Sequence, residues 1–383
     1  QAKKMALNCE TDFGVAWIDF VYALVHIKQG HLLEGKHILE AALVISNEKM
    51  GEHSQASDLL KIGLAQVYYQ TNEIELAQNN IDVGFLSIDD NGLVDTLHIA
   101  FITKAKLLNA QGRHNEANGV LLDAQAFGRR LNLSNFEGAI VGERIHNMLL
   151  AGKLDAALQL YQECDLDGGI EQNLDSSPCE RILIQLLQAR MALAQGNALK
   201  TLEITSTAIR LCKQTSFTQV QLTLQVLEAR AYFKLEKKNQ AFRLLSQIIK
   251  VTHGEGNIGL YRDEQDHLRV MLPEFLSRLE KQNSLEKQDS QHKAFIEKIA
   301  QVLKLQAPAQ EADASKDNSG QGEKLTKREL KLLAYLDQGL SNQNLADVLF
   351  LSVATIKWHL SHIYIKLGVK NRLGAIKAFQ KLK

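Results

Sequence analysis

Residues 189–202 read ARMALAQGNALKTL and contain the pattern that decides the fold of most of the chain. An amphipathic run ends at a short polar junction around Gly196, and a second run with small residues near its start follows. Glycine suits such a junction because a helix often ends in a left-handed residue. The stretch therefore predicts two helices joined by a tight turn.

The same junction recurs along the chain at Gly30, Asn72, Gly112, Gly152, Gly196 and Lys237. Its spacing of roughly 40–44 residues lies in the range of helical-pair repeats, and the pattern resembles tetratricopeptide (TPR) repeats lengthened by a few residues. An alanine some five residues after the marker lets the second helix approach the first closely. A single pair cannot bury its own apolar face, so we expect six pairs over Asp12–Val251 to stack into a superhelix with a concave groove. An irregular helical bundle is the alternative.

The composition fits a helical, water-soluble protein. The 383 residues include three prolines, well below the usual ~5%, and at about 100–200 residues per domain they suggest two or three domains. The printed sequence has no run of about 18 apolar residues and no basic-then-apolar leader, and its four cysteines lie far apart. We therefore expect a cytoplasmic protein without a membrane segment, zinc ribbon or disulfide framework. Because the first residue is Gln1, we expect a fragment or a processed product.

The net charge of zero conceals two halves of opposite sign. Residues 323–383 hold 11 of the 44 basic and 4 of the 44 acidic residues, so this end carries +7 and the remainder −7. A small basic end on an acidic body indicates a nucleic-acid contact confined to that end.

A polar stretch separates these two parts. Residues 306–324, QAPAQEADASKDNSGQGEK, have no large apolar side chain and predict a flexible linker. Three regions follow: a helical-repeat domain at 1–305, whose last helical stretch (261–304) lacks the junction and would cap the stack, the linker at 306–324, and a DNA-binding domain at 325–383.

Polar caps and glycines divide the C-terminal domain into four short helices. The N-caps are Thr326 (a capping box with Glu329), Ser341, Ser352 and Asn371, and the closing glycines are Gly339 and Gly368. The short second helix, a tight turn and the longer third helix form a helix-turn-helix, in which the third helix enters the major groove of DNA. The domain is therefore predicted to read DNA sequence.

The third helix has an apolar face, formed by Ile356, Leu360 and Ile363, that we expect to point inward. The opposite face would meet base edges and comprises Ala354, Lys357, Trp358 and Ser361, since lysine can donate to guanine and Trp358 can pack on a thymine methyl group. Phosphate contacts are assigned to Thr355, His359, Lys366, Lys370 and Arg372. The alternatives are that Trp358 packs on the first helix and that Lys357 is merely solvated.

The C-terminal domain resembles the LuxR-type DNA-binding domain. The resemblance rests on LTKREL at 325–330 and on GLSNQNLADVLFLSVATIKWHLSHIYIKLGVKNRLGAI at 339–376. Its SVATIKWHLSHIYIKLGV portion is most similar to the large MalT-like activators. Asn344 stands where the family usually has Glu, which weakens a second capping box at a cost of a few tenths to about 1 kcal/mol, and Leu345 replaces Ile.

That resemblance implies the overall plan of the protein: an all-α chain with a TPR-like superhelix followed by a four-helix LuxR-type domain. It implies double-stranded DNA and RNA polymerase as partners, self-association, and a small-molecule inducer or a regulator protein in the repeat groove. MalT-like proteins also carry a nucleoside-triphosphatase domain. Because no G-x-x-x-x-G-K-[ST] motif occurs in the printed sequence, we expect ATP to bind only in an upstream domain that this chain lacks, and no cofactor here.

Two functions of different classes remain open. The first is a transcription activator whose repeats sense an effector; the second is a protein-interaction scaffold with a subordinate DNA contact. An enzyme ranks third, because the sequence has no nucleophile motif and no paired metal-ligand motif such as H-E-x-x-H. A compact pocket with a few aromatic residues would indicate a small molecule, whereas a long charged groove would indicate a peptide. The sequence does not identify the groove-lining residues.

Overall fold

The computed structural model describes residues 12–86, 94–164, 177–281, 290–305, 327–349, 356, 360, 363–364, 367, 369 and 371–382. Within these residues every regular element is a helix, as the sequence predicts. The helices are α1 (Asp12–Lys28), α2 (Leu32–Met50), α3 (Gln55–Gln70), α4 (Ile74–Leu86), α5 (Val94–Ala110), α6 (His114–Arg130), α7 (Ser134–Leu150), α8 (Leu154–Glu163), α9 (Pro178–Ala194), α10 (Ala198–Thr215), α11 (Thr218–Lys234), α12 (Lys238–Gly254), α13 (Gly259–Asp263), α14 (Gln265–Lys281), α15 (Ser290–Leu305), α16 (Lys327–Asp337), α17 (Asn342–Leu349) and α18 (Arg372–Leu382).

Helices α1 to α12 form the six predicted pairs, and each pair turns on one left-handed residue. Five of these are predicted markers: Gly30, Asn72, Gly112, Gly152 and Gly196, with φ between 68° and 91°. At every turn the next backbone N–H bonds to the carbonyl oxygen five residues earlier, as from Asn197 to Ala192 (2.8 Å). The recurrence of this hydrogen bond explains why one local sequence pattern marks all the pairs.

The sixth marker is wrong by one residue. The left-handed residue there is Glu236 (φ 58°), and Lys237 follows it and donates the closing hydrogen bond to the carbonyl oxygen of Tyr232 (2.9 Å). This turn has no glycine or asparagine, so the sequence carries no local signal for the residue with positive φ.

The small residue after each turn is buried between the two helices, as expected. Ala77, Ala117, Ala157 and Ala241 are fully buried. The first pair has Gly35 instead, where a Cβ would lie 2.6 Å from Cγ1 of Ile27, and the fifth pair has buried Thr201. The requirement at this position is therefore close approach of the helices rather than alanine itself.

In the first five pairs the first helix is more deeply buried than the second, whereas α11 and α12 of the sixth pair bury six residues each. In the fifth pair nine of the 17 residues of α9 are buried, against five of the 18 residues of α10. The first helices therefore bury side chains between the pairs and also on the inner side of the stack. Another part of the chain must cover that inner side.

Candidate nucleic-acid interface and inner groove

The predicted caps position the first two helices of the C-terminal domain. Gly339 takes a left-handed conformation (φ 87°) after α16, and Leu340 N–H bonds back to the carbonyl oxygen of Tyr335 (3.2 Å). The Oγ of Ser341 then accepts a hydrogen bond from the backbone N–H of Asn344 (3.1 Å) and caps α17. The Thr326 and Ser352 caps lie outside the described residues.

The inner face of the third helix is confirmed. Ile356, Leu360 and Ile363 are buried and pack with residues of α16, α17 and α18 such as Leu333 and Phe379. Tyr364, next along this helix, is half-buried at the edge of the same cluster, and its burial raises the pKa of its hydroxyl. One apolar core thus unites all four segments of the domain.

The predicted base-facing residues Ala354, Lys357, Trp358 and Ser361 lie outside the described residues. So do the predicted phosphate contacts Thr355, His359, Lys366 and Lys370. Arg372 is described: its guanidinium donates to the carbonyl oxygen of Leu340 (2.5 Å) and to Oδ1 of Asn342 (3.4 Å). Arg372 thereby links the start of α18 to the turn between α16 and α17. The prediction of Arg372 as a phosphate contact did not include this structural role.

The fourth helix begins at its predicted cap, Asn371. The side chain of Asn371 caps α18 by accepting from Gly374 N–H (2.9 Å), and Gln380 donates to Asp337 of α16 (2.6 Å). Leu373, near the start of this helix, is 63% exposed. Its position one residue into the helix turns it away from the core that Ala375 and Phe379 fill.

The inner side of the repeat array, called here the inner groove, is crossed by the chain's own residues 256–267. The backbone N–H of Ile258 donates to the carbonyl oxygen of Gln70 at the end of α3 (2.8 Å). Asn257 donates to the side chain of Gln219 on α11 (3.1 Å), and Arg262 donates to the carbonyl oxygen of Tyr69 (3.3 Å). Part of the stretch expected only to cap the stack therefore lies inside it.

Two adjacent carboxylates of this segment meet basic groups from different pairs. Asp263 accepts from the hydroxyl of Tyr69 (2.6 Å) and from Nζ of Lys106 on α5 (2.6 Å). Glu264, 1% exposed, accepts from the guanidinium of Arg190 on α9. Its carboxylate also lies 3.9 Å from Nε2 of His146 on α7. The first helices of the second to the sixth pairs thus all contact the segment.

The pKa directions show that Glu264 and Lys106 remain charged in the groove. Burial alone would raise the pKa of Glu264, but Arg190, His146 and His267 bring it below its ordinary value. Burial alone would lower the pKa of Lys106, but Asp263 and Glu143 bring it above its ordinary value. Each carboxylate and each cation of the groove therefore depends on its partner.

His267 is the exception, since burial dominates there. The ring lies 3.7 Å from the carboxylate of Glu264, yet burial lowers the pKa of His267 to about 4. Its ring is therefore neutral at pH 7, and the positive charge near Glu264 comes chiefly from Arg190.

The sixth pair also meets the first pair, which brings the two ends of the repeat array together. The backbone N–H of Leu33 donates to the carboxylate of Glu255 (3.0 Å). Gly30 lies so close to α11 that a Cβ would be 3.0 Å from Cγ2 of Thr218. The array is therefore closed, with its first pair against its sixth.

Sequence reasoning missed every residue of this groove. The sequence separation between Tyr69 and Asp263 is 194 residues, and neither belongs to a motif. The sequence does contain polar residues such as Arg190 on helices that are packed on two sides. Their role can be recognised only after the pairs have been stacked.

Two other kinds of site find no support in the part of the chain that the structure describes. No group of three or more His, Cys, Asp or Glu side chains there could hold a metal ion. Across the same residues, no helix has the length and apolar character needed to cross a membrane.

A stack of TPR-like pairs followed by a helix-turn-helix domain defines a class of protein, the DNA-binding transcription regulators with a helical-repeat domain. Two family models match these same parts: "MalT-like TPR region" over residues 1–278 and "Bacterial regulatory proteins, luxR family" over residues 323–379. The chain belongs to the LuxR family of bacterial regulatory proteins and carries a MalT-like TPR region.

The curated relatives match only a small part of the chain. The transcriptional regulatory protein LiaR of Bacillus subtilis (strain 168) is 38% identical over 61 residues, which is 16% of this chain and 29% of LiaR. The oxygen regulatory protein NreC of Staphylococcus aureus (strain JH9) is 44% identical over 48 residues, 12% of this chain and 22% of NreC. The chain thus spans less than a third of the length of either relative.

Proposed function

We propose that the chain activates transcription in the cytoplasm by binding double-stranded DNA through the third helix of its C-terminal domain. The observation that carries this proposal is the burial of Ile356, Leu360 and Ile363 against α16, α17 and α18. Helical periodicity then assigns the outer face to base contacts by Ala354, Lys357, Trp358 and Ser361. Thr355, His359, Lys366, Lys370 and Arg372 would contact phosphates and orient the domain.

The repeat array would transmit a signal to the DNA-binding domain. An effector that binds the open and closed arrays with different affinities shifts the balance between them, by no more than that difference allows. The open form would self-associate and place several DNA-binding domains on neighbouring sites, where linked binding raises the apparent affinity. RNA polymerase would be the target of the assembled activator, and ATP would act in an upstream domain.

A regulator protein or peptide is the second candidate for the effector, and one observation favours it over a small inducer. The inner groove is lined by charged residues from several pairs, Lys106, His146 and Arg190 among them, and it already holds a stretch of polypeptide. A small-molecule pocket would be compact and largely apolar. This feature supports the interaction-scaffold reading of the repeats beside their role in regulation.

The DNA-binding proposal is tested with the full chain and duplexes selected by it from a randomised pool. We expect Lys357→Ala to weaken binding to the selected duplex by about 10-fold or more, because a lysine on guanine supplies about 1–3 kcal/mol of discrimination. The matched control is Lys377→Ala, which removes an exposed lysine of α18. Equal affinities of the two variants would remove the recognition-helix assignment.

The effector class is tested by a thermal-shift screen of residues 12–304. A stabilising sugar or metabolite would favour the small inducer. Capture of a regulator peptide with no such hit would favour the interaction scaffold.

A further inference from the structure

The segment at 256–267 is held in the inner groove as a peptide ligand is held by a receptor. Its backbone pairs with the receptor backbone at Ile258 and Gln70, and Arg262 reaches the carbonyl oxygen of Tyr69. The acidic pair Asp263 and Glu264 forms the centre of the contact. Recognition of an acidic motif by basic side chains is one of the recurring modes of peptide binding.

The polar match between groove and segment is incomplete, although the apolar side chains of Ile258, Leu260 and Tyr261 are buried in the core. Among the described residues, Nε of Arg190 and Oε2 of Glu264 are buried without a hydrogen-bond partner, whereas Nδ1 of His146 lies 3.8 Å from the carboxylate of Glu143 on α7. Buried polar groups normally find a partner, and each such orphan costs free energy. A segment with its acidic groups placed differently could therefore satisfy the same receptor atoms better.

Part of the site can be reached from outside. The side chains of Lys106 and His267 are 22% and 24% exposed, whereas Glu264 is 1% exposed. A competing ligand could thus contact Lys106 before the chain's own carboxylates leave.

We propose that Tyr69, Lys106, His146 and Arg190 form a binding site for an acidic peptide with two adjacent carboxylates, and that Asp263 and Glu264 occupy this site in the closed array. The external ligand is a segment of a partner protein that carries the same acidic pair. Because Glu255, next to the occupying segment, holds Leu33 of the first pair, displacement of the segment also releases the contact between the first and sixth pairs. The inference rests on the proposed role of the groove as the effector site and names the chemistry of that effector.

The test uses a labelled peptide with the sequence of residues 256–267 and the full chain carrying Asp263→Asn and Glu264→Gln. These substitutions remove the two charges with little change of shape, so the tethered segment no longer competes. We expect the peptide to bind this variant about 10-fold or more tightly than the wild-type chain, in which the tethered segment acts at an effective concentration in the millimolar range. A peptide with the same two substitutions, the matched control, should bind about 10-fold or more weakly.

Adding Arg190→Gln to the variant should weaken binding of the acidic peptide by about 10-fold, since Arg190 would hold a carboxylate of either ligand. Equal binding of the acidic and the neutral peptide overturns the proposal. Absence of binding at about 1 mM peptide overturns it as well.

Hydrogen exchange of the wild-type chain keeps the test decisive if the variant does not fold. A displaceable segment should open without the rest of the array, so amides of residues 256–264 should exchange about 100-fold or more faster than those at the centre of α3. Equal exchange would mean that the segment leaves only when the array unfolds, which contradicts the proposal. None of these measurements involves DNA, so their failure leaves the DNA-binding proposal standing, and the Lys357→Ala result leaves this one standing.

Discussion

The C-terminal domain and the inner groove of the repeat array are stabilised by different kinds of contact. The domain is united by apolar side chains such as Leu333, Leu345 and Phe379, all within a short stretch of sequence. The groove adds to its apolar contacts ion pairs between distant residues, with Lys106 and Asp263 separated by 157 positions. Apolar burial tolerates approximate partners, whereas a buried charge requires a particular one. The groove should therefore be the region that responds to a charged ligand.

The largest expected effect is the loss of a groove cation. We expect Arg190→Ala to destabilise the closed array by about 3–5 kcal/mol, because it leaves the buried carboxylate of Glu264 without its main partner. Urea unfolding of the full chain, monitored through hydrogen exchange of the array amides, measures this change in the free energy of unfolding. Arg243→Ala, at an exposed arginine of α12, should change stability by less than about 0.5 kcal/mol. Similar effects of the two would remove the difference between groove and surface.

A core leucine of the C-terminal domain should matter through its volume alone. Leu360→Ala should destabilise that domain by about 2–5 kcal/mol because it leaves a cavity among apolar neighbours, and duplex binding should fall as the domain unfolds. Leu373→Ala, at the exposed leucine of α18, should cost less than about 0.5 kcal/mol. A large loss at Leu373 would contradict its exposed position in the structure.

The buried histidine of the groove should make stability fall in mildly acidic solution. The pKa of His267 is about 4 when folded and near 6.5 when unfolded, so the unfolded chain gains a proton first as the pH falls. We expect array stability to decline between about pH 6.5 and 4, by up to about 3 kcal/mol. Protonation of Glu264, whose pKa is lowered, adds to the loss below about pH 4.5.

His267→Gln should flatten that decline, and His37→Gln, at an exposed histidine of α2, should leave it unchanged. Urea midpoints across this pH range provide the comparison. If the stability of His267→Gln still declines in this pH range, groups other than the His267 ring beside Glu264 cause the pH dependence.

The smallest effect concerns close approach within a repeat pair. Gly35→Ala should cost about 1–3 kcal/mol, because the added Cβ would lie 2.6 Å from Ile27 and 3.2 Å from the carbonyl oxygen of Ala23. Gly119→Ala in α6, where nothing lies within 4 Å of the new Cβ, should stabilise the array by roughly 0.5–1 kcal/mol. Thermal unfolding of the two variants should shift in opposite directions; shifts in the same direction would contradict the packing account.

What the sequence predicts well is what is local. Gly112 and Ser341 mark a turn and a cap through their own conformational preferences, so the pairs and the short helices of the C-terminal domain follow from them. The turn at Glu236 was missed by one residue because glutamate gives no such signal.

The groove could not be predicted, because its contacts join residues that no pattern relates. Asp263 and Glu264 look like ordinary surface charges until the six pairs bring Lys106 and Arg190 to the same place. For the base-facing residues, Lys357 among them, the opposite holds. They follow from the sequence pattern alone and stay predictions.

The central claim is the division between a DNA-binding end and an array that responds to ligands. It is tested most directly by measuring the binding of residues 325–383 and of residues 1–305, as separate fragments, to the duplex selected with the full chain at two salt concentrations. The account predicts that the C-terminal fragment binds the duplex, more weakly than the full chain and with a steep loss at higher salt, while the repeat fragment does not bind. Equal binding by the two fragments, or binding by the repeat fragment alone, would contradict it.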